Sequence, residues 1–349
     1  MRIADFLRHI VIDLLAQRDD RCYWRQSCEA RPLPNGAQLV LWQPDGKLGD
    51  GILNARLVHD LRVQRPDVRV HVVCPPGMLS FWQRLPGVHA VHSTAQGEPR
   101  KSLVATLQGC EAFVSFETFL SLDTVRLVRA LKPVRTLGFS VSRYRLFTDA
   151  LVDTTYEFPR QHIGERLLRL CTVLGLAHLA SSDVASTVRS MSPLPVKQRT
   201  GTAVFFNTYA ANADRCLTPE VVAKVHGLVR SRLPQDTVIL SLPAAGQAAP
   251  MPDEHTHALP PCASVWELMQ HIDACALVIT PDTAIAHLGA VLGKPVLVFY
   301  RDRHYNTVVW RPDGACVKLL LPTVIGDINT FDMDELVSAI DSILGRLPS

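Results

Sequence analysis

Two segments carry residue types that can do chemistry, and one stands in each half of the chain. The first is Pro44-Asp45-Gly46-Lys47-Leu48-Gly49-Asp50-Gly51, the second Pro281-Asp282-Thr283-Ala284-Ile285-Ala286-His287. Each follows an apolar run and precedes a helical pattern. Asp50, at the first turn of its helix, has two roles open to it. It can cap the helix, for about 1 kcal/mol, or stand at the strand end as a general base. Asp282 and Thr283 can likewise form a cap, with His287 a hydrogen-bonded core histidine. The other reading of that helix start is a phosphate site, because it offers backbone N–H groups and a favourable dipole. Ala284 is too small to obstruct a diphosphate. Earlier in the same half, the run Val204–Asn207 leads into a loop with Thr208 and Arg215. The forked donors of arginine suit phosphate oxygens, although a solvated loop residue is the plainer reading of Arg215.

Lys47, Gly49 and Gly51 surround Asp50 in a turn that lets backbone approach a ligand closely. The turn is not a Walker A loop, since Leu41 replaces the first glycine and Leu48 the Ser or Thr after the lysine. Its glycine spacing also differs from G-x-G-x-x-G.

Strands and helices must alternate to position these loops. The patterns predict strands over Leu39–Trp42, Val68–Cys74, Glu111–Phe116 and Val134–Phe139, with helices over about 51–64 and 160–175. Ser, Thr and Pro then interrupt the periodicity between Ser181 and Thr200. Alternation restarts with strands Thr202–Asn207, Thr237–Leu242, Leu277–Thr280 and Val296–Tyr300, and helices near 219–232, 264–271, 284–292 and 331–346. This is the signature of two doubly wound parallel α/β sheets. The expected division is an N-terminal helical extension (1–36), a first domain (37–185), a linker (186–200), a second domain (201–330) and a C-terminal helix (331–349). Ligands of such sheets bind at strand ends, and two sets of strand ends facing a shared cleft suit an enzyme that joins two substrates.

Composition sets bounds. The chain has 349 residues, 47% hydrophobic and 20% charged, with a formal charge of +3. That charge is too small to argue for nucleic acid. Nine cysteines without a C-x-x-C pair point to a reducing cytoplasm rather than to disulfides or zinc. No apolar stretch reaches the ~20 residues of a membrane span. The N-terminal face of Ile3, Phe6, Leu7, Ile10, Val11, Leu14 and Leu15 either packs on the protein or lies on a membrane surface.

Together these motifs resemble glycosyltransferase family 9, the heptosyltransferases of bacterial lipopolysaccharide core. Lys47-Leu48-Gly49-Asp50 matches the family's (K/R)-x-G-D loop. Pro66 to Val72 matches its P-D-x-x-(I/V)-x-(V/L) strand, and Leu85-Pro86-Gly87-Val88 its N-P-x-V. Asp282 to His287 matches D-T-x-x-x-H, followed by A-x-x-G-x-P at Ala290–Pro295. The resemblance covers roughly residues 38–325. Three departures accompany it: Ala284 replaces glycine or serine, Arg215 replaces lysine, and some 36 residues precede the first strand.

The resemblance implies a GT-B architecture, two Rossmann-like domains facing across a cleft, with the donor in the C-terminal one. It also implies inverting, metal-independent transfer from an ADP-heptose to a lipid-linked or glycan acceptor, with no cofactor. By position, Asp50 is then the base, and Thr208 and Arg215 hold the diphosphate. Asp282 contacts sugar hydroxyls, and Thr283, Ala284 and His287 complete the loop. Arg143 and Arg145 are the candidates for an anionic acceptor, and Tyr305, Asn306 and Trp310 for lining the donor site. The one D-x-D, Asp332-Met333-Asp334, reads as a solvated helix start rather than a metal site. A cytoplasmic location at the inner membrane face follows. Two other readings remain, a sugar-nucleotide epimerase on a similar scaffold and a non-catalytic sugar-nucleotide binder.

Overall fold

A computed structural model describes residues 30–94, 101–117, 121–138, 149–150, 162–177, 203–234, 237–242, 254–302, 305–314 and 316–345. The helical pattern over 3–15, the 186–200 linker, Arg143 and Arg145 lie outside the described residues. The chain divides into two compact units, Met1–Leu179 and Ala180–Ser349.

In the N-terminal unit, six parallel strands run β1 (Gln38–Trp42), β2 (Arg69–Cys74), β3 (Val88–Ser93), β4 (Ala112–Ser115), β5 (Arg135–Gly138) and β6 (Asp149–Ala150) in chain order. They lie in the spatial order β3-β2-β1-β4-β5-β6. Among the described residues, its helices are α1 (Leu48–Gln64), α2 (Leu79–Arg84), α3 (Lys101–Leu107), α4 (Leu122–Leu131) and α5 (Ile163–Val173). Leu39 to Trp42 are all buried, as a strand covered on both faces must be, which is why its sequence is continuously apolar. The winding direction reverses between β1 and β4, so the loop carrying Asp50 leaves the sheet at its switch point.

The second signature of this half proves structural. Asp67 accepts from Gly36 N–H at 2.9 Å and from Arg65 Nε and Nη2 at 2.9 and 2.8 Å, while Arg65 also donates to the carbonyls of Leu33 and Pro34. Those bonds hold its carboxyl well below the usual range, the one with Arg65 first and the one with Gly36 second. The Arg65–Asp67 pair thus fastens the segment entering β1 to the start of β2.

The C-terminal unit repeats the plan. Its parallel strands are β7 (Ala203–Asn207), β8 (Val238–Leu242), β9 (Thr256–Ala258), β10 (Leu277–Pro281), β11 (Val296–Phe299) and β12 (Val317–Leu320), in the order β12-β11-β10-β7-β8-β9. The helices are α6 (Pro219–Arg232), α7 (Val265–Asp273), α8 (Ala284–Val291), α9 (Tyr305–Val309) and α10 (Met333–Leu344). The reversal falls between β7 and β10, the two strands that launch the Thr208 and Asp282 loops. Asp332 caps α10, accepting from the N–H groups of Asp334 and Glu335 at 2.8 and 3.3 Å, as the helix-start reading of Asp-Met-Asp expects.

Candidate functional site

The loop after β1 is held from below. Gln43, 1% exposed, accepts a hydrogen bond from Trp82 Nε1 at 2.9 Å and donates through Nε2 to the Lys47 carbonyl at 3.0 Å. That carbonyl also receives Gly51 N–H at 3.2 Å, the first bond of α1. Gly51 lets α1 sit close beneath this loop, since a Cβ there would meet Met78 Cε at 2.7 Å and displace that methyl. Lys47 occupies the N-cap position of α1, and no side chain caps that helix. Asp50 is therefore not the cap, which removes the plainer of its two readings.

Burial pushes the Asp50 carboxyl up to about 7, assisted by the charge of Asp45 and a hydrogen bond with it, and opposed by Lys47. Lys47 Nζ lies 3.5 Å from Asp45 and is largely exposed. A carboxyl that titrates near neutrality is matched to proton abstraction from a hydroxyl. Asp45 is a residue the sequence reading missed. It sits in a Pro-Asp-Gly turn, and nothing local separates it from an ordinary turn aspartate. Glu117, just beyond β4, was missed as well. It accepts from Ser115 Oγ at 3.4 Å and from Thr124 Oγ1, which itself accepts from Trp42 Nε1 at 2.7 Å. Burial raises its carboxyl too, against the pull of hydrogen bonds from Ser121, Thr124 and Ser115.

In the C-terminal unit, α8 starts directly beyond β10. Thr283 is its cap, with Oγ1 accepting from Ile285 N–H at 3.3 Å. The same oxygen lies 3.0 Å from Thr280 Oγ1 and accepts from Asn207 Nδ2 at 3.3 Å. Asn207 Nδ2 also reaches Thr280 at 2.9 Å, and its Oδ1 accepts Tyr209 N–H at 3.1 Å. Asn207 therefore ties the ends of β7 and β10 together, a role invisible at a sequence separation of 73.

Asp282, one residue earlier, is anchored by its N–H to Phe299 carbonyl at 2.9 Å. Its carboxylate lies 3.6 Å from Arg215 Nη1, bringing together two residues picked from sequence. Burial raises Asp282 to about 6; Arg215 and Arg301 pull it down, and Asp302 pushes it up. Arg215 ends the short turn Ala213–Arg215, and its buried Nε has no hydrogen-bond partner. Arg301 pairs with the neighbouring Asp214. Thr208 is half-buried at the end of β7, and its carbonyl accepts Leu217 N–H at 3.1 Å. Ala284 opens α8, and His287 is buried one turn in. Tyr305 and Asn306 begin α9, with Trp310 half-buried just after it. Tyr300, unnoticed in the sequence, is 1% exposed, and its hydroxyl has no partner among the described residues. Burial and then the carboxylates of Asp282 and Asp302 push that hydroxyl well above the usual phenol range.

The model of glycosyltransferase family 9 (heptosyltransferase) matches residues 241–319, which include the Asp282–His287 loop. Over these residues the C-terminal unit is similar to glycosyltransferase family 9. That match supports a glycosyltransferase. No curated protein matches it in sequence. In fold, it is similar to E. coli heptosyltransferase WaaC with ADP, with TM-score 0.65 and 16% identity over 88% of this chain and 99% of that one. It is equally similar to E. coli ADP-heptose lps heptosyltransferase II, with TM-score 0.65 and 15% identity over 89% and 99%. The family 9 glycosyl transferase of Veillonella parvula gives TM-score 0.64 and 16% identity over 90% and 99%. At these identities the likeness is one of fold, and it extends the GT-B expectation over nearly the whole chain. Asp50, Thr208 and Arg215 lie outside the family 9 match. Among the described residues, no group of three or more His, Cys, Asp or Glu is placed to hold a metal ion, and no helix is long and apolar enough to cross a membrane.

Proposed function

We propose that this chain transfers a heptose from an ADP-linked donor to a hydroxyl of a lipopolysaccharide-core or related glycan acceptor, with inversion and without a metal ion. Asp50 accepts the proton of the attacking hydroxyl. Thr208, Arg215 and the start of α8 hold the diphosphate, and Asp282 contacts the sugar. Negative charge that develops on the departing ADP meets a guanidinium and the positive end of a helix, the arrangement that stabilises a leaving group. The acceptor reaches the enzyme at the cytoplasmic face of the inner membrane.

The observation that carries this reading is the Asp50 carboxyl, raised to about 7 and not engaged as a helix cap. A sugar-nucleotide binder has no use for a base held near neutrality. Titration with ADP-heptose, followed by release of ADP in the presence of a deacylated core oligosaccharide, tests the proposal. The expected result is ADP release that EDTA leaves unchanged and that Asp50→Asn abolishes while donor binding persists. Turnover that survives in Asp50→Asn removes Asp50 as the base. Binding without any turnover in the wild type leaves a binder.

A further inference from the structure

Tyr300 presents a problem that the proposed reaction does not absorb. It follows β11, whose Phe299 pairs in register with Pro281 of β10, so Tyr300 and Asp282 are the next residues along adjacent strands. Its backbone N–H is bonded to the Leu320 carbonyl at 3.0 Å, but its buried hydroxyl has no partner. An unmet buried hydroxyl costs stability, and phenylalanine would fill the same space without that cost. The charges that act on the hydroxyl are Asp282, Asp302, Arg215 and Arg311. Among these, Arg215 and Asp282 are only loosely joined, at 3.6 Å, and Arg215 Nε also lacks a partner. The cluster thus holds two idle donors beside one half-buried carboxylate.

We infer that Tyr300 is a positioning residue whose hydroxyl takes over the Asp282 carboxylate when a nucleoside diphosphate draws Arg215 away. The inference rests on the reading of the C-terminal unit as the donor side. A diphosphate offers the guanidinium paired oxygens that one carboxylate at 3.6 Å does not match. Once Arg215 turns to it, the half-buried Asp282 would lose its nearest cation. The Tyr300 hydroxyl is buried, and Asp282 is the first of the charged groups that act on it. Its donation to Asp282 would keep that carboxylate ionised and aimed, ready to accept from a sugar hydroxyl.

The test titrates ADP into the full chain by calorimetry for the wild type, Tyr300→Phe, Asp282→Ala and the double variant. Wild-type binding examines the donor-side reading by itself; its absence sinks that reading and the inference together. Given binding, Tyr300→Phe should bind ADP roughly tenfold more weakly, the scale of one hydrogen bond to a charged group, while melting at the same or a higher temperature. In the Asp282→Ala background the same change should leave affinity unaltered. Wild type should also show a red-shifted tyrosine difference band on adding ADP that Tyr300→Phe lacks. Equal affinity with and without the hydroxyl overturns the inference, as does an equal loss in both backgrounds. A wild type without the tyrosine band overturns it even if the variants fail to fold.

Discussion

Replacing Asp50 by asparagine should abolish turnover and yet stabilise the fold, by an amount that depends on pH. The carboxyl titrates near 3.8 in the unfolded chain and at about 7 in the native one. Between those values the native state keeps a proton that the unfolded state has released, so stability falls as pH rises and the full cost is reached above 7. One pKa unit corresponds to about 1.4 kcal/mol. The 3.8-to-7 displacement therefore costs about 2 kcal/mol at pH 5 and about 4 kcal/mol at pH 8. Asparagine keeps the shape and carries no charge, so Asp50→Asn should be more stable than wild type, with a gain about 2–3 kcal/mol larger at pH 8 than at pH 5. Urea unfolding at the two pH values measures the difference, while ADP release from ADP-heptose follows turnover. An equal gain at both pH values, or a loss at pH 8, would show that Asp50 is ionised without penalty. Asp50 would then not be a base poised near neutrality.

Other perturbations have defined outcomes. Asp45→Asn removes a like charge beside Asp50, so the acidic limb of the kcat/KM profile, expected near 7, should move down by about one unit; an unmoved limb would assign the shift to burial alone. Arg215→Met should weaken ADP binding by roughly 10- to 100-fold, and equilibrium dialysis showing wild-type affinity would exclude Arg215 from the phosphate site. Trp82→Phe leaves Gln43 Oε1 without its donor; it should cost about 1–3 kcal/mol and lower kcat while the donor Kd holds. His71 is held down at about 4, by burial first and then by His92, His89 and Arg69. Its folded value lies below the unfolded 6.5, so its contribution is present above 6.5 and lost as pH falls toward 4. His71→Phe should flatten the stability–pH slope in that window, read from urea midpoints.

The elements that place the site were legible where the chain is buried on both faces. β1, β2, β7, β10 and β11 appear within one or two residues of their apolar runs, because a central parallel strand leaves no polar alternation to blur it. Edge strands were not legible. β6 has two residues and β9 only three, Thr256-His257-Ala258, too short for any period to show. Within the site, Asp50, Asp282 and Thr283 could be picked because strand-end loops advertise them. Their partners could not. Gln43 meets Trp82 across 39 residues and Asn207 meets Thr280 across 73, contacts that only the folded sheets create. Tyr300 looked like the last apolar residue of a strand, and its unmet hydroxyl is a property of its surroundings.

Three aspartates stand in the motifs that carry the family resemblance, and the sign of their perturbation sorts them. Asp67 is lowered by Arg65 and the Gly36 N–H, so the fold gains from its charge. Asp50 and Asp282 are raised, chiefly by burial, to about 7 and about 6, so the fold loses from theirs. A structural carboxylate has no reason to be kept where its charge is unwelcome, since asparagine would fill the place at less cost. A reaction or a ligand that needs the charge accounts for retaining it. The same logic covers Arg215 Nε and the Tyr300 hydroxyl, donors buried without acceptors beside Asp282. Stabilising substitutions should therefore concentrate at Asp50, Asp282 and Tyr300, each with a loss of binding or turnover. At Asp67, removal of the carboxylate should destabilise the N-terminal unit and leave ADP affinity intact. An Asp67→Asn variant that is more stable than wild type would break the rule that separates the two classes.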